Sequence, residues 1–286
     1  MEKENTVNKE LEEMRDLNVA VIGVGNFGSA LAEGIVNSGV KTPLNVILSN
    51  RSREKLETFA QRGYTIASSN NEAANLSKTI ILAVKPYQIL DVLGEIKGVL
   101  RDNDFIISVA AGLRINRIKG IVGNCKVVRA MPNLGCKFKV GVTGWFTGDS
   151  LSQKEVSIVE SLFGSMGVVV KTKSEDGIDR ITAMAGSGIG FEFYLQEQLE
   201  KIGMQLLNDE VDADTSRKIM VQVLRGTVLM LEKDGRSVSE LRKAVTSKGG
   251  TTEKGLRFFE WSDLEGILRE GIRQAYKRSK ELGESL

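Results

Sequence analysis

The sequence predicts an α/β fold in which a doubly wound parallel sheet is followed by an all-helical domain. Strand-like and helix-like segments alternate through the first half of the 286-residue chain, as they do in parallel sheets built from β-α-β units. After about residue 175, long patterns with a 3.6-residue period replace this alternation. All three prolines, Pro43, Pro86 and Pro132, lie before that change. We therefore expect the sheet and the helices to form separate domains.

Eight strands are expected in the first domain, and helices separate most of them. Continuous apolar runs such as Ile80–Val84 are typical of strands that helices cover on both faces. The strand candidates are residues 18–23, 45–50, 65–68, 79–84, 104–110, 126–131, 140–147 and 168–172. The helical patterns are residues 26–38, 53–62, 71–76, 87–99, 114–121 and 152–166.

The second domain is expected to be helical throughout, with patterns at residues 177–207, 212–234, 237–247 and 252–282. Asp212 and Ser237 are suitable helix N-caps, and Gly235 is a suitable C-cap. The expected organisation is a charged N-terminal extension over residues 1–16, a dinucleotide-binding domain over 17–174 and a helical domain over 175–286.

Composition argues against several classes of protein. The chain contains no histidine, which argues against zinc catalysis and Ser-His-Asp chemistry, and no metal site is expected. Its net charge of +2 argues against a nucleic-acid role, and no apolar run has the length of a membrane span. Met1–Asp16 is charged, so we expect a solvated or helical extension outside the fold rather than a secretory signal. Cys125 and Cys136 lack metal-ligand spacing, and reduced thiols in a cytoplasmic protein are expected.

The first strand runs into a Gly-x-Gly-x-x-Gly motif formed by Gly23, Gly25 and Gly28. Gly23 permits a tight turn, Gly25 lets the backbone approach a pyrophosphate, and Gly28 lets the next helix pack on the strand. The N-terminus of that helix presents free N–H groups to an anion. This order predicts a dinucleotide site in a Rossmann-type domain. An ordinary glycine-rich turn is the alternative.

The end of the second strand indicates which dinucleotide is bound. NAD enzymes usually place an acid here to hold the ribose hydroxyls, whereas this chain has Asn50, Arg51, Ser52 and Arg53. Guanidinium and hydroxyl groups bind a 2′-phosphate that a carboxylate would repel. The sequence therefore favours NADPH, with NADH left open as a second donor. The alternative is that both arginines belong to the solvated first turn of a helix.

Three further strand ends carry residues that suit a ligand crevice, because ligands bind outside the carboxyl ends of parallel strands. Lys85 and Pro86 follow the fourth strand, Ser108–Gly112 closes the fifth with small residues, and Met131–Asn133 closes the sixth. Lys85 would face the cofactor or solvate a loop. Asn133 would offer its amide to the nicotinamide ring edge or to the substrate.

Two glycine-rich segments interrupt the helical domain. Gly186–Gly190 contains three glycines, each of which costs a helix about 1 kcal/mol relative to alanine. Close helix packing or a ligand at the backbone would explain them. Gly249 and Gly250 lie in a turn before a helix, followed by Thr251 and Thr252. Their N–H groups and hydroxyls suit a substrate carboxylate, and a plain turn with threonine as the N-cap is the alternative.

Taken in order, these motifs resemble the Δ1-pyrroline-5-carboxylate reductase family, from about residue 18 to 282. The resemblance rests on Val-Ile-Gly-x-Gly-Asn-x-Gly, Ser-Asn-Arg, Ala-Val-Lys-Pro, Ser-Val-Ala-Ala-Gly, Arg-Ala-Met-Pro-Asn, Gly-Ser-Gly and Gly-Gly-Thr-Thr. It implies that NAD(P)H gives a hydride to the cyclic imine of pyrroline-5-carboxylate and yields proline. It also implies an intertwined homodimer built by the helical domain, often assembled into a ring of dimers.

The resemblance also implies which residues contact the cofactor and the substrate. The pyrophosphate contacts are Gly23, Gly25, Asn26, Phe27 and Gly28, and the adenosine contacts are Asn50 and Arg51. The residues along the cofactor towards its nicotinamide are Ala83, Lys85 and Pro86. The substrate contacts are Ser247, Gly249, Gly250, Thr251 and Thr252, with the Thr252 hydroxyl nearest the ring nitrogen as the catalytic group. A protonated imine is already electrophilic, so orientation matters more than a strong acid.

Three positions depart from the family's usual pattern, namely Leu134–Gly135, Ile189–Gly190 and Lys248. All three surround the expected substrate rather than the phosphate loop, so a related imine is an alternative substrate. A β-hydroxyacid dehydrogenase on the same two-domain plan is a second alternative, with Lys201 or Lys218 as its catalytic lysine. A non-catalytic protein that binds NADPH is the third.

Overall fold

The computed structural model describes residues 12–207 and 210–285, and these residues form two compact units. Unit 1 runs to Ser187 and takes in the end of the chain from Ala275, whereas unit 2 is Gly188–Gln274. The residues from 175 to 187, which we expected in the helical domain, therefore pack with the sheet. No helix among the described residues is long and apolar enough to cross a membrane.

Unit 1 contains one sheet, and unit 2 is helical. The strands are β1 Val19–Ile22, β2 Val46–Ser49, β3 Thr65–Ile66, β4 Thr79–Leu82, β5 Phe105–Ser108, β6 Lys126–Pro132, β7 Gly141–Phe146 and β8 Gly167–Lys171. The helices of unit 1 are α1 over residues 12–17, α2 Asn26–Asn37, α3 Glu54–Ala60, α4 Asn70–Asn75, α5 Ile89–Ile96, α6 Ile115–Val122, α7 Gln153–Gly164 and α8 Glu175–Ile181. Unit 2 is formed by α9 Gly188–Leu207, α10 Ala213–Lys233, α11 Val238–Ala244, α12 Thr251–Trp261 and the first part of α13 Leu264–Ser285, whose turns from Ala275 belong to unit 1.

The sheet has the strand order β3-β2-β1-β4-β5-β6-β7-β8, which confirms the doubly wound fold. Its strands are parallel from β3 through β6, but β7 is antiparallel to β6, and β8 is parallel to β7. The direction changes because the segment from residue 133 to 140 is too short for a crossover helix, which needs a dozen or more residues. A short 3₁₀ turn over Leu134–Phe138 makes this connection.

The core lies on both faces of the sheet, because neighbouring residues of a strand point to opposite sides. Val19 and Val21 of β1 belong to one apolar cluster, which includes residues of α2 and α7. Ala20 and Ile22 belong to the other, which includes residues of α4, α5 and α6. Burial on both faces explains why the central strands read as continuous apolar runs.

Two of the helical patterns in the second half are interrupted. The pattern at residues 177–207 contains a π-helical turn over Thr182–Gly186. The pattern at 252–282 forms two helices, because Asp263 has a φ of 53° and its Oδ1 accepts a hydrogen bond from the Gly266 N–H (3.2 Å). Asp263 thereby caps the start of α13. The interruption predicted at the three glycines of residues 186–190 thus begins with this π-helical turn, whereas the break at Asp263 was not predicted.

The predicted N-caps of α10 and α11 are confirmed. The Thr215 N–H donates to Asp212 Oδ1 at 2.7 Å, and the Glu240 N–H donates to Ser237 Oγ at 3.3 Å. The predicted C-cap, Gly235, lies one residue beyond the C-cap residue Asp234, and its φ of 76° is the backbone conformation that favours glycine at this position.

The charged N-terminal extension packs on the fold where it is described. Arg15 of α1 is buried, and its guanidinium donates to the Ser77 carbonyl (3.1 Å) and to both carboxylate oxygens of Asp104 (2.8 and 3.0 Å). The expectation that this segment lies outside the fold is therefore wrong for Arg15. Its guanidinium can be buried because Asp104 and the Ser77 carbonyl supply the charge and hydrogen-bond partners that it needs. Residues 1–11 of the predicted extension lie outside the described residues.

Candidate active site

A cleft of about 610 Å³ lies in unit 1, at the carboxyl ends of β1, β4, β5 and β6. The strand order runs in opposite directions from β1, towards β2 and towards β4, and such a switch point is where open α/β sheets bind ligands. All the predicted cofactor residues except Gly28 and Arg51 line this cleft. The lining residues are Gly23, Gly25, Asn26, Phe27, Asn50, Lys55, Ala83, Val84, Lys85, Pro86, Gln88, Val109, Ala110, Ala111, Met131, Pro132 and Leu134.

The glycine loop has the geometry that the motif predicts. Gly23 has a φ of 100°, and a Cβ there would lie 2.7 Å from the Val84 nitrogen. A Cβ on Gly28 would overlap the carbonyl oxygen of Gly23, so the first turn of α2 packs directly on the loop. Gly25 faces open space and precedes α2, and no side chain of residues 12–207 or 210–285 is seen to cap that helix. The N–H groups of this first turn are therefore available to an anion.

Asn50 holds the two loops of the cleft together, a role that sequence reasoning missed. Its Oδ1 accepts a hydrogen bond from the Val24 N–H at 3.1 Å, and its Nδ2 donates to the Ser52 carbonyl at 3.2 Å. The side chain thus joins the glycine loop to the loop after β2. The sequence feature that could have predicted this role is an asparagine at the end of β2, the strand beside the one that leads into the glycine loop.

The three cationic residues that follow β2 differ in whether they line a cavity. Lys55 of α3 lines the cleft, and Arg53 lines a second cavity of about 380 Å³ that shares Asn50 with it. Arg51 is exposed and lines neither cavity. Sequence reasoning missed Lys55, because its place on the cleft depends on where α3 begins, and Arg51 lies before that helix.

The ends of β5 and β6 supply small and apolar groups to the cleft, but Asn133 does not point an amide into it. Its Nδ2 donates to the Ala185 carbonyl at 3.1 Å, and its Oδ1 accepts from the N–H groups of Gly135 (3.2 Å) and Val142 (3.1 Å). Asn133 is buried. The expectation that it contacts the nicotinamide or the substrate is wrong, because its amide fixes the turn between β6 and β7.

The glycine-rich segment around α9 is only partly explained by close packing. A Cβ on Gly186 would lie 3.1 Å from the Cε of Met131, whereas Cβ atoms on Gly188 and Gly190 would face open space.

Lys201 and Lys218, the candidate catalytic lysines of a β-hydroxyacid dehydrogenase, are exposed and pair with Glu197 (2.6 Å) and Asp214 (2.5 Å) on their own helices. These ion pairs are typical of solvated helix faces.

The predicted substrate loop lies in unit 2, whereas the predicted cofactor residues lie in unit 1. Gly249 has a φ of 74°, and its N–H donates to Glu253 Oε2 at 2.6 Å. The Gly250 N–H donates to the Ser247 carbonyl at 3.0 Å. The two glycine N–H groups that we expected to face a substrate carboxylate are therefore bonded within the loop.

What the loop leaves available is the start of α12. Gly250, rather than a threonine, is the N-cap residue, and no side chain in the described part of the chain caps α12, so the interpretation with threonine as the N-cap is wrong. Thr251 and Thr252 open the helix and are exposed. The Gly249 N–H and the Arg257 guanidinium hold the pKa of the Glu253 carboxyl below its usual value, and both donate hydrogen bonds to this carboxylate.

Comparisons with known proteins cover both units. The family model for pyrroline-5-carboxylate reductase dimerisation matches residues 175–282, and the model for NADP oxidoreductases dependent on coenzyme F420 matches residues 18–112. Pyrroline-5-carboxylate reductase 3 of Danio rerio is 31% identical over 93% of this chain and 92% of its own length.

Two solved structures are similar over nearly their whole length. A pyrroline-5-carboxylate reductase from Coxiella burnetii superposes with a TM-score of 0.85 and 32% identity, covering 93% of this chain and 98% of that one. The Plasmodium falciparum pyrroline carboxylate reductase with NADP bound has a TM-score of 0.84 and 27% identity, covering 94% and 99%. With its glycine loop, its cleft and its Gly-Gly-Thr-Thr segment, this chain belongs to the pyrroline-5-carboxylate reductase family.

Proposed function

We propose that this protein reduces the cyclic imine Δ1-pyrroline-5-carboxylate to L-proline, with NADPH as the hydride donor. The observation that carries the proposal is family membership that spans both the cleft of unit 1 and the Gly-Gly-Thr-Thr loop of unit 2. The absence of histidine from the sequence is compatible with this reaction, since a protonated imine accepts a hydride without a strong acid from the protein.

The cleft is proposed to hold the cofactor extended across the sheet. The uncapped first turn of α2, with Asn26 and Phe27, would bind the pyrophosphate, as its free N–H groups favour an anion. Asn50 and the cations after β2 would hold the adenosine end and its 2′-phosphate. When bound, NADPH supplies the hydride that is added to the imine carbon. Ala83, Lys85 and Pro86 would lie along the cofactor towards its nicotinamide.

The loop of unit 2 is proposed to bind the substrate. Ser247, Gly249, Gly250, Thr251 and Thr252 would surround the carboxylate and the ring nitrogen, with the Thr252 hydroxyl nearest that nitrogen. The uncapped start of α12 supports the carboxylate site. The hydrogen bond from Gly249 to Glu253 would fix the shape of the loop rather than bind the substrate.

The chain carries the dimerisation segment of its family, and we propose a homodimer in the cytoplasm, with dimers joined into a ring. Large apolar side chains of unit 2 support such an assembly, because Phe193, Leu206 and Trp261 are 70%, 82% and 82% exposed in a single chain. Large apolar side chains exposed to this degree are typical of a protein interface when they form a patch. Size-exclusion chromatography with light scattering would separate dimers from rings.

Consumption of NADPH by the purified protein tests the proposed substrate. Pyrroline-5-carboxylate should be reduced fastest, and a six-membered cyclic imine acid should be reduced more slowly. Faster reduction of the six-membered ring would identify a related imine as the substrate. NADPH binding without turnover of either imine would favour a non-catalytic role.

A further inference from the structure

The last turns of α13 pack on unit 1 through polar contacts with α8. The Tyr276 hydroxyl donates to Asp176 Oδ1 at 2.5 Å, and the buried Ser279 hydroxyl donates to Asp179 Oδ1 at 2.9 Å. Asp179 is fully buried, and it also accepts a hydrogen bond from the Arg129 guanidinium of β6 at 2.8 Å. The end of α13 is thus tied to a charged group in the interior of unit 1.

The backbone of these last turns of α13 also packs directly against the backbone of the loop that follows β5. Gly112 has a φ of 83°, and a Cβ there would lie 2.7 Å from the Cβ of Leu282 and 2.9 Å from its carbonyl carbon. A Cβ on Gly283 would lie 2.6 Å from the Gly112 carbonyl oxygen. Backbone atoms cannot move aside as the end of a flexible side chain can. Both positions therefore require glycine for this contact.

This loop forms part of the wall of the cleft. Val109, Ala110 and Ala111 line the cleft, and Gly112 follows them directly. At the other end of the loop, the Ile115 N–H donates to Glu175 Oε1 at 2.8 Å, and Arg114 lies 3.0 Å from Asp179 Oδ2. Helices α8 and α13 together therefore contact the loop at both Gly112 and Arg114–Ile115.

We propose that the last turns of α13 position the wall that faces the nicotinamide half of NADPH. The strands β2 and β5 lie on opposite sides of β1, so an adenosine end at β2 leaves the nicotinamide half at β5 and β6. The positioning residues are Gly283, through its contact with Gly112, and Ser279, through its hydrogen bond to Asp179. They act through the loop and do not touch the cofactor. This inference rests on the proposed placement of NADPH in the cleft.

The test compares Gly283→Ala in the full chain with Gly271→Ala, a control on the same helix where a Cβ would face open space. We expect Gly283→Ala to lower kcat with pyrroline-5-carboxylate by about 10- to 100-fold, since a displacement of about 1 Å at reacting atoms has effects of that size. NADPH binding should weaken, whereas binding of 2′,5′-ADP, which contains only the adenosine half, should not change. Gly271→Ala should leave both affinities at their wild-type values.

A second variant keeps the test decisive if Gly283→Ala does not fold. Ser279→Ala removes only the hydroxyl and should lower kcat in the same direction, with unchanged binding of 2′,5′-ADP. Unchanged kcat in a folded variant, or an equal loss of affinity for NADPH and 2′,5′-ADP, would overturn the proposal. If the wild type does not reduce pyrroline-5-carboxylate, the proposed function fails, but the comparison of NADPH with 2′,5′-ADP still tests the role of α13.

Discussion

Lys55 and Arg51 differ in how they meet the cofactor cleft, although both are cations near the end of β2. Lys55 lines the cleft, whereas Arg51 does not. A cation binds a 2′-phosphate strongly only when it can reach its oxygens directly. We therefore expect Lys55, more than Arg51, to select NADPH over NADH. The sequence pointed to Arg51 because it directly follows Asn50, while the position of Lys55 depends on where α3 begins.

The substitution Lys55→Ala should raise the KM for NADPH about tenfold, since a hydrogen bond to a charged group contributes about 1.5–3 kcal/mol. The KM for NADH should barely change, because NADH lacks the 2′-phosphate. Arg51→Ala should show a smaller change in the same direction. Lys154→Ala, at an exposed lysine of α7, is the control. Equal losses with both cofactors would contradict the assignment of Lys55 to the 2′-phosphate.

For Thr252 we expect Thr252→Ala to lower kcat/KM for pyrroline-5-carboxylate and to leave the affinity for NADPH intact. The physical reason is that we propose the hydroxyl to lie nearest the substrate ring nitrogen and not against the cofactor. Thr227→Ala, at an exposed threonine of α10 whose hydroxyl donates to the Val223 carbonyl, serves as the control. The substrate role is refuted if activity does not change, or if NADPH affinity falls together with activity.

At the scale of elements, the sequence predicts best where a local pattern decides the structure. The apolar runs predict the buried strands β1 and β4, and the three glycines of the first loop predict its tight turn into α2. Periodicity alone did not reveal the break before α13, because the apolar pattern continues across Asp263 while its backbone leaves the helix. The role of Asn133 was also hidden, since its three partners come from distant or neighbouring turns that only the fold brings together.

Helix α7 offers a pH test of one such element. Burial raises the pKa of the Glu155 carboxyl, but hydrogen bonds from Lys126 and Ser152 outweigh it, and the pKa lies below its usual value of 4.5. A lowered folded-state pKa stabilises the protein above the unfolded value, and this contribution is lost as the pH falls through the folded value. Glu155→Gln should therefore lower Tm at neutral pH, and the difference from wild type should shrink below about pH 4.5. A difference in Tm that does not depend on pH would contradict this account.

At the scale of the whole molecule, the predicted cofactor residues and the predicted substrate residues lie in different compact units. The alternation of strands and helices, followed by helices alone, predicted two domains of this kind, although not their exact boundary. It did not predict that the last turns of α13 belong to unit 1, because the helical pattern continues through Ala275 without any change in composition. Only packing against α8 and the loop after β5 assigns those turns.

The central claim is that a hydride passes from NADPH to the imine carbon of pyrroline-5-carboxylate. The most direct test incubates the protein with pyrroline-5-carboxylate and NADPH deuterated at its transferable position, and analyses the product by mass spectrometry. We predict L-proline with one deuterium, carried by the ring carbon that was the imine carbon of the substrate. The Thr252→Ala variant should form this labelled product more slowly. Binding of NADPH without any labelled proline would contradict the account.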